Sequence, residues 1–301
     1  MRKLPFILLA AGLLTLIGLS RPPPPPLRQN GQPLLPRPGL LRNLFRAQLG
    51  LVSDYFWIMT LNRIGSANTP EQYRDVYYYA DLTTDLDPRL RQAYLYGGIT
   101  IAVNRPDGTF ANTAESTALL RKGVAALPDN PQLRFQLAYN LMFFEQKYKE
   151  AADIIQDLAK RPGAPSWYSA LATRLYAQSG AFDSSLTLTE AMLASAEDDE
   201  TRAFYERRIQ EIHQEQILRG LDAALERFRA REGRFPDNVA ALVGSGDLKA
   251  LPEDPLGGSY FIGQDGRVYS TASKFRLEII QDQRDADGNR VIPQPRVTDG
   301  P

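Results

Sequence analysis

From residue 40 to about residue 196, apolar side chains recur every three or four positions, mostly alanine, leucine and aromatics, and short Pro, Gly, Asp and Asn clusters interrupt them. That period puts the apolar positions on one face of an α-helix. The interruptions stop the helices, because proline removes a backbone donor and glycine and asparagine favour turns. They fall at residues 65–70, 85–88, 104–108, 128–131, 161–165 and 196–199. The spacing predicts successive helices of roughly a dozen residues or more joined by short turns. Residues 201–231 then read as one long, highly charged helix with a stripe of Leu218, Leu221, Ala224, Leu225 and Phe228, which needs a partner surface. After Gly233 the period shortens. Tyr260–Ile262 and residues 267–270 flank Asp265 and Gly266 and predict a small β-hairpin.

The amino terminus has a different pattern. Met1, Arg2 and Lys3 precede an uncharged, mostly apolar run over residues 4–20. At about 1.5 Å rise per residue this is near the lower limit of about 17 residues for crossing a bilayer core. It fits either an export signal or an anchor. Gly18 and Ser20 form a small-x-small pair, but Arg21 and Pro22 make an awkward cleavage site, which favours an uncleaved anchor. Five prolines at 22–26 and the polar residues up to Pro38 predict an extended spacer, with a proline-rich ligand as the alternative. Arg21, Arg28, Arg37, Arg42 and Arg46 follow the run and compete with the amino-terminal charges under the positive-inside rule. The expectation is nevertheless a single-pass inner-membrane protein with its bulk outside the cytoplasm. A cytoplasm-facing adaptor is the reversed alternative.

Two segments match in residue type 34 positions apart: Lys147-Tyr148-Lys149-Glu150-Ala151 and Ala181-Phe182-Asp183-Ser184-Ser185. With Phe135, Ala138 and Tyr139 ahead of the first, and Ala172, Thr173, Tyr176 and Gly180 ahead of the second, the stretch resembles the tetratricopeptide repeat family. Ser185 stands where that family prefers alanine, and Tyr139 where it prefers a small residue. A less regular unit covers residues 89–130, with Gly97, Gly98 and Ala118 as its small residues. Residues 40–82 read as a divergent first unit. The resemblance implies a superhelix of paired helices with a concave face for protein partners; a generic helical bundle is the alternative. In that register Gln136, Asn140, Phe143, Trp167, Arg174 and Gln178 are the candidate partner contacts.

Leu251-Pro252-Glu253-Asp254-Pro255-Leu256-Gly257-Gly258-Ser259-Tyr260, after Arg234-Phe235-Pro236 and before the hairpin, resembles the core of the type II secretion major pseudopilins. Leu256 replaces that family's tryptophan, and the apolar run lacks a prepilin processing signal. Ser270-Thr271-Ala272-Ser273-Lys274 does not match the family's calcium ligands, so no calcium site is carried over. The resemblance implies a type IV pilus or type II secretion context.

Composition narrows the chemistry. Thirty-five basic residues balance thirty-five acidic ones, so no whole-molecule field draws nucleic acid. There is no cysteine and a single histidine, His213, beside Glu211 and Glu215, where a solvent-facing role is expected. No phosphate-binding, dinucleotide or nucleophile-elbow glycine motif occurs. Asp198 and Asp199 read as helix-capping residues. Asp285, Asp287 and Asn289 make only an incomplete calcium loop.

The sequence thus predicts a mainly α protein: an anchor at 1–20, a linker at 21–39, tetratricopeptide-like repeats at 40–200, a long helix with a small α+β module at 201–275, and a disordered tail at 276–301. Its expected role is a membrane-anchored scaffold for other envelope proteins, with no cofactor, metal or nucleic acid. A hydrolase using groove carboxylates is the alternative, and the oligomeric state stays open.

Overall fold

The computed structural model describes residues 28–29, 31–273, 275–278 and 294–295. The apolar run at 4–20, most of the proline-rich stretch, residues 285–289 and most of the segment after 278 lie outside the described residues. The protein is mainly α-helical, with small two-stranded hairpins. It divides into two compact units, Met1–Asn140 and Leu141–Pro301. Among the described residues no helix is long and apolar enough to cross a membrane.

The first unit opens with a hairpin, β1 (Arg28–Gln29) against β2 (Gln32–Pro33), turning at Gly31 with φ 78°. Pro33 is buried, and β2 lies against the third helix. Here the structure departs from the expected spacer, because residues 28–33 fold back onto the body and a helix already starts at Pro38. That helix, α1 (Pro38–Leu44), has proline at its first turn, where no donor is lost. Then come α2 (Leu49–Ser66) and α3 (Pro70–Leu86), capped by Thr69, whose side chain accepts from the Gln72 amide. Leu41, Phe56, Tyr79, Leu82 and Leu86 form the core between them.

The next pair is α4 (Arg91–Thr100) and α5 (Thr113–Ala126), separated by the hairpin β3 (Val103–Asn104) and β4 (Phe110–Ala111). Their backbones approach closely at Gly97, Gly98 and Gly123. A methyl on Gly123 would stand 2.7 Å from Tyr94 Cγ and 2.9 Å from its Cβ. The Ser116 hydroxyl donates to the Gly98 carbonyl across this contact at 2.5 Å. The boundary between the units falls within α6 (Pro131–Phe143), whose start is held by Asn130 accepting from the Leu133 amide.

The second unit continues with α7 (Tyr148–Ala159), α8 (Trp167–Ser179), α9 (Phe182–Ala194) and the long α10 (Asp199–Glu232). Each packs on the next. The α8–α9 link is only Gly180 and Ala181, with Gly180 at φ 81° closing the helix, so these packed helices run antiparallel. Asp198 caps α10 as the sequence suggested, accepting from the Thr201 amide and hydroxyl. Past Gly233 come the short α11 (Ala241–Gly244) and the hairpin β5 (Tyr260–Ile262) and β6 (Val268–Ser270). The whole stripe read from the sequence, Leu218 to Phe228, is buried with Val239, Leu242, Ile262 and Val268. That buried face is what holds the charged helix.

Candidate functional site

The residues expected to face a partner fall into different environments. In the first unit Asn140 is fully buried. Its side-chain amide donates to Ser116 Oγ at 2.7 Å and Thr117 Oγ1 at 3.4 Å, and Gln136 reaches its Oδ1 at 3.4 Å. This corrects the reading of Asn140 as a groove contact: it saturates hydroxyls in the interior, where an unpaired polar group is costly.

In the second unit Phe143 packs edge-to-face on Phe144 with ring centroids 5.4 Å apart. Trp167 stands half exposed at the start of α8, edge-on to Tyr168 at 4.4 Å. Arg174 and Gln178 follow along α8, where the Arg174 side chain and the Gln178 backbone carbonyl are bonded to other parts of the chain. Arg174 Nη2 donates to the Glu278 carbonyl at 2.6 Å, and Arg219 Nη2 donates to the Gln178 carbonyl at 2.7 Å. Trp167 is therefore the most accessible of the expected contacts.

The segment after β6 carries the cluster that the sequence reading missed. Arg276 is nearly buried. It pairs with Glu215 through Nη2 at 2.8 Å and Nε at 3.1 Å, and also with Asp222. The Leu277 amide donates to Glu215 at 3.2 Å, and Asp222 accepts from the Val268 amide at 2.7 Å. Arg267 forks onto both oxygens of Glu278 at 2.6 and 3.1 Å. Burial would raise the Glu278 carboxyl, but Arg267, with Arg276 and Arg219, outweighs it and holds the group below the usual carboxylate range. Burial, then the charge of Glu278, pushes the Tyr148 hydroxyl up. These contacts pin residues 275–278 to α10, so the boundary expected for a disordered tail at 276 falls inside a packed segment.

One signal for this cluster was present. Glu215 and Asp222 sit two turns apart beside the stripe residues Leu218 and Leu225, and acids on a core-facing side demand a cation.

Nearby, Asp254 organises the loop before β5. It accepts from the Leu256 and Gly258 amides at 3.0 and 3.2 Å, from Gln214 at 2.7 Å, and from Ser270. A cleft of about 510 Å³ lined by Val239, Leu251, Glu253 and Tyr260 opens beside it. Among the described residues no group of three or more His, Asp or Glu side chains is placed to hold a metal ion. His213 is exposed on α10. The cluster's carboxylates are consumed in ion pairs and backbone contacts, which is the chemistry of a staple. Comparison with protein-family models, with curated proteins and with solved structures gives no match for this chain.

Proposed function

We propose that the protein is a membrane-anchored scaffold whose tetratricopeptide-like helix pairs dock other proteins of the cell envelope, the pseudopilin-like carboxy-terminal module suggesting a type IV pilus or type II secretion assembly. The observation that carries this reading is the run α7 to α10, in which each helix packs on the next and a half-exposed tryptophan remains at the head of α8. Stacked helix pairs of this kind present extended surfaces, and exposed aromatics serve as anchors for partners. The 34-residue match at Tyr148 and Phe182 supports the same repeat register. The anchor rests on the apolar run at residues 4–20.

The test is site-specific photo-crosslinking in native membranes with the crosslinker at Trp167, compared with the exposed Glu197. The expected result is capture of a defined envelope protein at Trp167 alone. Equal capture at both positions, or none, removes the site. The competing hydrolase reading requires the purified protein to turn over substrate and to lose that activity when one groove carboxylate is replaced by its amide. Activity of that kind would replace the scaffold.

A further inference from the structure

The first unit leaves an apolar surface uncovered. Ten of the fourteen large apolar side chains exposed among the described residues lie between Leu34 and Ile99. On α2, Leu51, Tyr55 and Ile58 recur at four- and three-residue spacing, so they share one face; they are 71%, 56% and 56% exposed. On α4, Tyr96 and Ile99 are half exposed. Trp57 of α2 stacks on Tyr96 with ring centroids 6.1 Å apart and planes within 8°, which joins the two helices' apolar patches. Monomeric soluble proteins rarely leave a contiguous patch of this kind open.

Charge names the occupant. The first seventy residues carry Arg2, Lys3, Arg21, Arg28, Arg37, Arg42, Arg46 and Arg63 against Asp54 alone, although basic and acidic residues balance over the chain as a whole. Arg37, Arg42 and Arg46 are exposed immediately ahead of α2. Apolar side chains with tyrosine and tryptophan beside them, flanked by arginines, match the acyl-headgroup boundary of an anionic bilayer. Chain length sets the reach. Hairpin β1–β2 already belongs to the folded unit, so only residues 21–27 separate it from the apolar run. Seven residues span at most about 25 Å. An anchor at 4–20 therefore holds this unit within that distance of the headgroups.

We infer that the α2–α4 face of the first unit rests in the interface of an anionic lipid bilayer. Its tether-length argument rests on the anchor reading above; its apolar and charge arguments do not. The chain has no cysteine, so single cysteines can be placed in the full-length protein at Leu51, Tyr55, Ile58 or Ile99, at Leu13 in the apolar run, and at Glu197 as a solvent control. Each is labelled with an environment-sensitive fluorophore and reconstituted in vesicles of phosphatidylcholine and phosphatidylglycerol. Labels on the face should lose about half their emission or more to shallow nitroxide lipids, as side chains sunk 5–10 Å would, and should resist aqueous iodide. The Glu197 label should do neither.

If Leu13 is quenched while the face stays open to iodide, the interface inference falls and the anchor stands. If the face is quenched and Leu13 is not, the inference stands and the anchor falls. If neither is quenched, both fall. Face labels shielded from iodide and from nitroxide lipid alike would mean that protein covers the patch, either the run at 4–20 or a second copy, and would overturn the lipid assignment.

Discussion

At Gly123 the absence of a side chain decides a helix contact. Alanine there would gain about 1 kcal/mol of helix propensity. Its methyl, however, would press on Tyr94 near that residue's own backbone, at 2.7 to 2.9 Å, and overpacking of that kind costs about 1–3 kcal/mol. Gly123→Ala should therefore lower the denaturant midpoint while leaving helical content unchanged; a raised midpoint would show that α4 and α5 can move apart freely. Asp247 offers a pH-dependent counterpart in the second unit. Arg231 first, then Ser245, hold its carboxyl at about 2, below the ordinary value of 3.8. A depressed folded-state value means stability present above the unfolded value and lost as pH falls towards about 2. Asp247→Asn should lower Tm at neutral pH, with the gap to the parent protein narrowing through the range from 3.8 downward. A gap that does not change with pH would mean the carboxylate charge is not what matters.

At the scale of the element, α10 and the segment after β6 depend on each other. Glu215→Gln removes the carboxylate that faces Arg276, which is 5% exposed. Breaking one partner of a buried pair costs about 3–5 kcal/mol, because the other charge stays behind. Amide exchange at Leu277 should accelerate together with that loss. Replacing both Glu215 and Arg276 with apolar residues should restore part of the stability, although Asp222 then keeps only the Val268 amide and the more distant Arg267. Unchanged exchange at Leu277 would show that the segment is held by something else. This staple also marks the limit of what the sequence discloses. Helix ends at Ser66, Leu86, Ala126, Ala159 and Ala194 all fall at or just before a Pro, Gly, Asp or Asn cluster, since stop signals act over a few residues. The stripe Leu218 to Phe228 was readable because a helical period is local. Asn140 was not, since the hydroxyls that bury it lie 23 and 24 residues away. Arg276 was not either, with Glu215 61 residues distant. A polar residue looks solvent-facing until the fold brings it a partner.

For the whole molecule, the anchor proposed at residues 4–20 makes the side of the membrane the decisive question. Five arginines after the apolar run outnumber Arg2 and Lys3 before it. The fold changes that balance, because hairpin β1–β2 and α1 carry Arg28, Arg37 and Arg42 into the first unit, where Arg42 donates to the Asp85 carbonyl. Between the run and the folded unit only Arg21 remains, against Arg2 and Lys3 in front. The positive-inside rule gives most weight to charges close to the span, and on that weighting we propose that the amino terminus lies in the cytoplasm and the body outside. A single cysteine at Glu197, in a chain that otherwise has none, should then react with a membrane-impermeant maleimide in cells whose outer membrane has been opened and whose inner membrane is intact. Reaction only after lysis would place the body in the cytoplasm and make the protein a cytoplasm-facing adaptor. In that orientation the arginine-flanked face would meet the cytoplasmic leaflet, so the maleimide result fixes which leaflet the lipid-quenching experiment reports on.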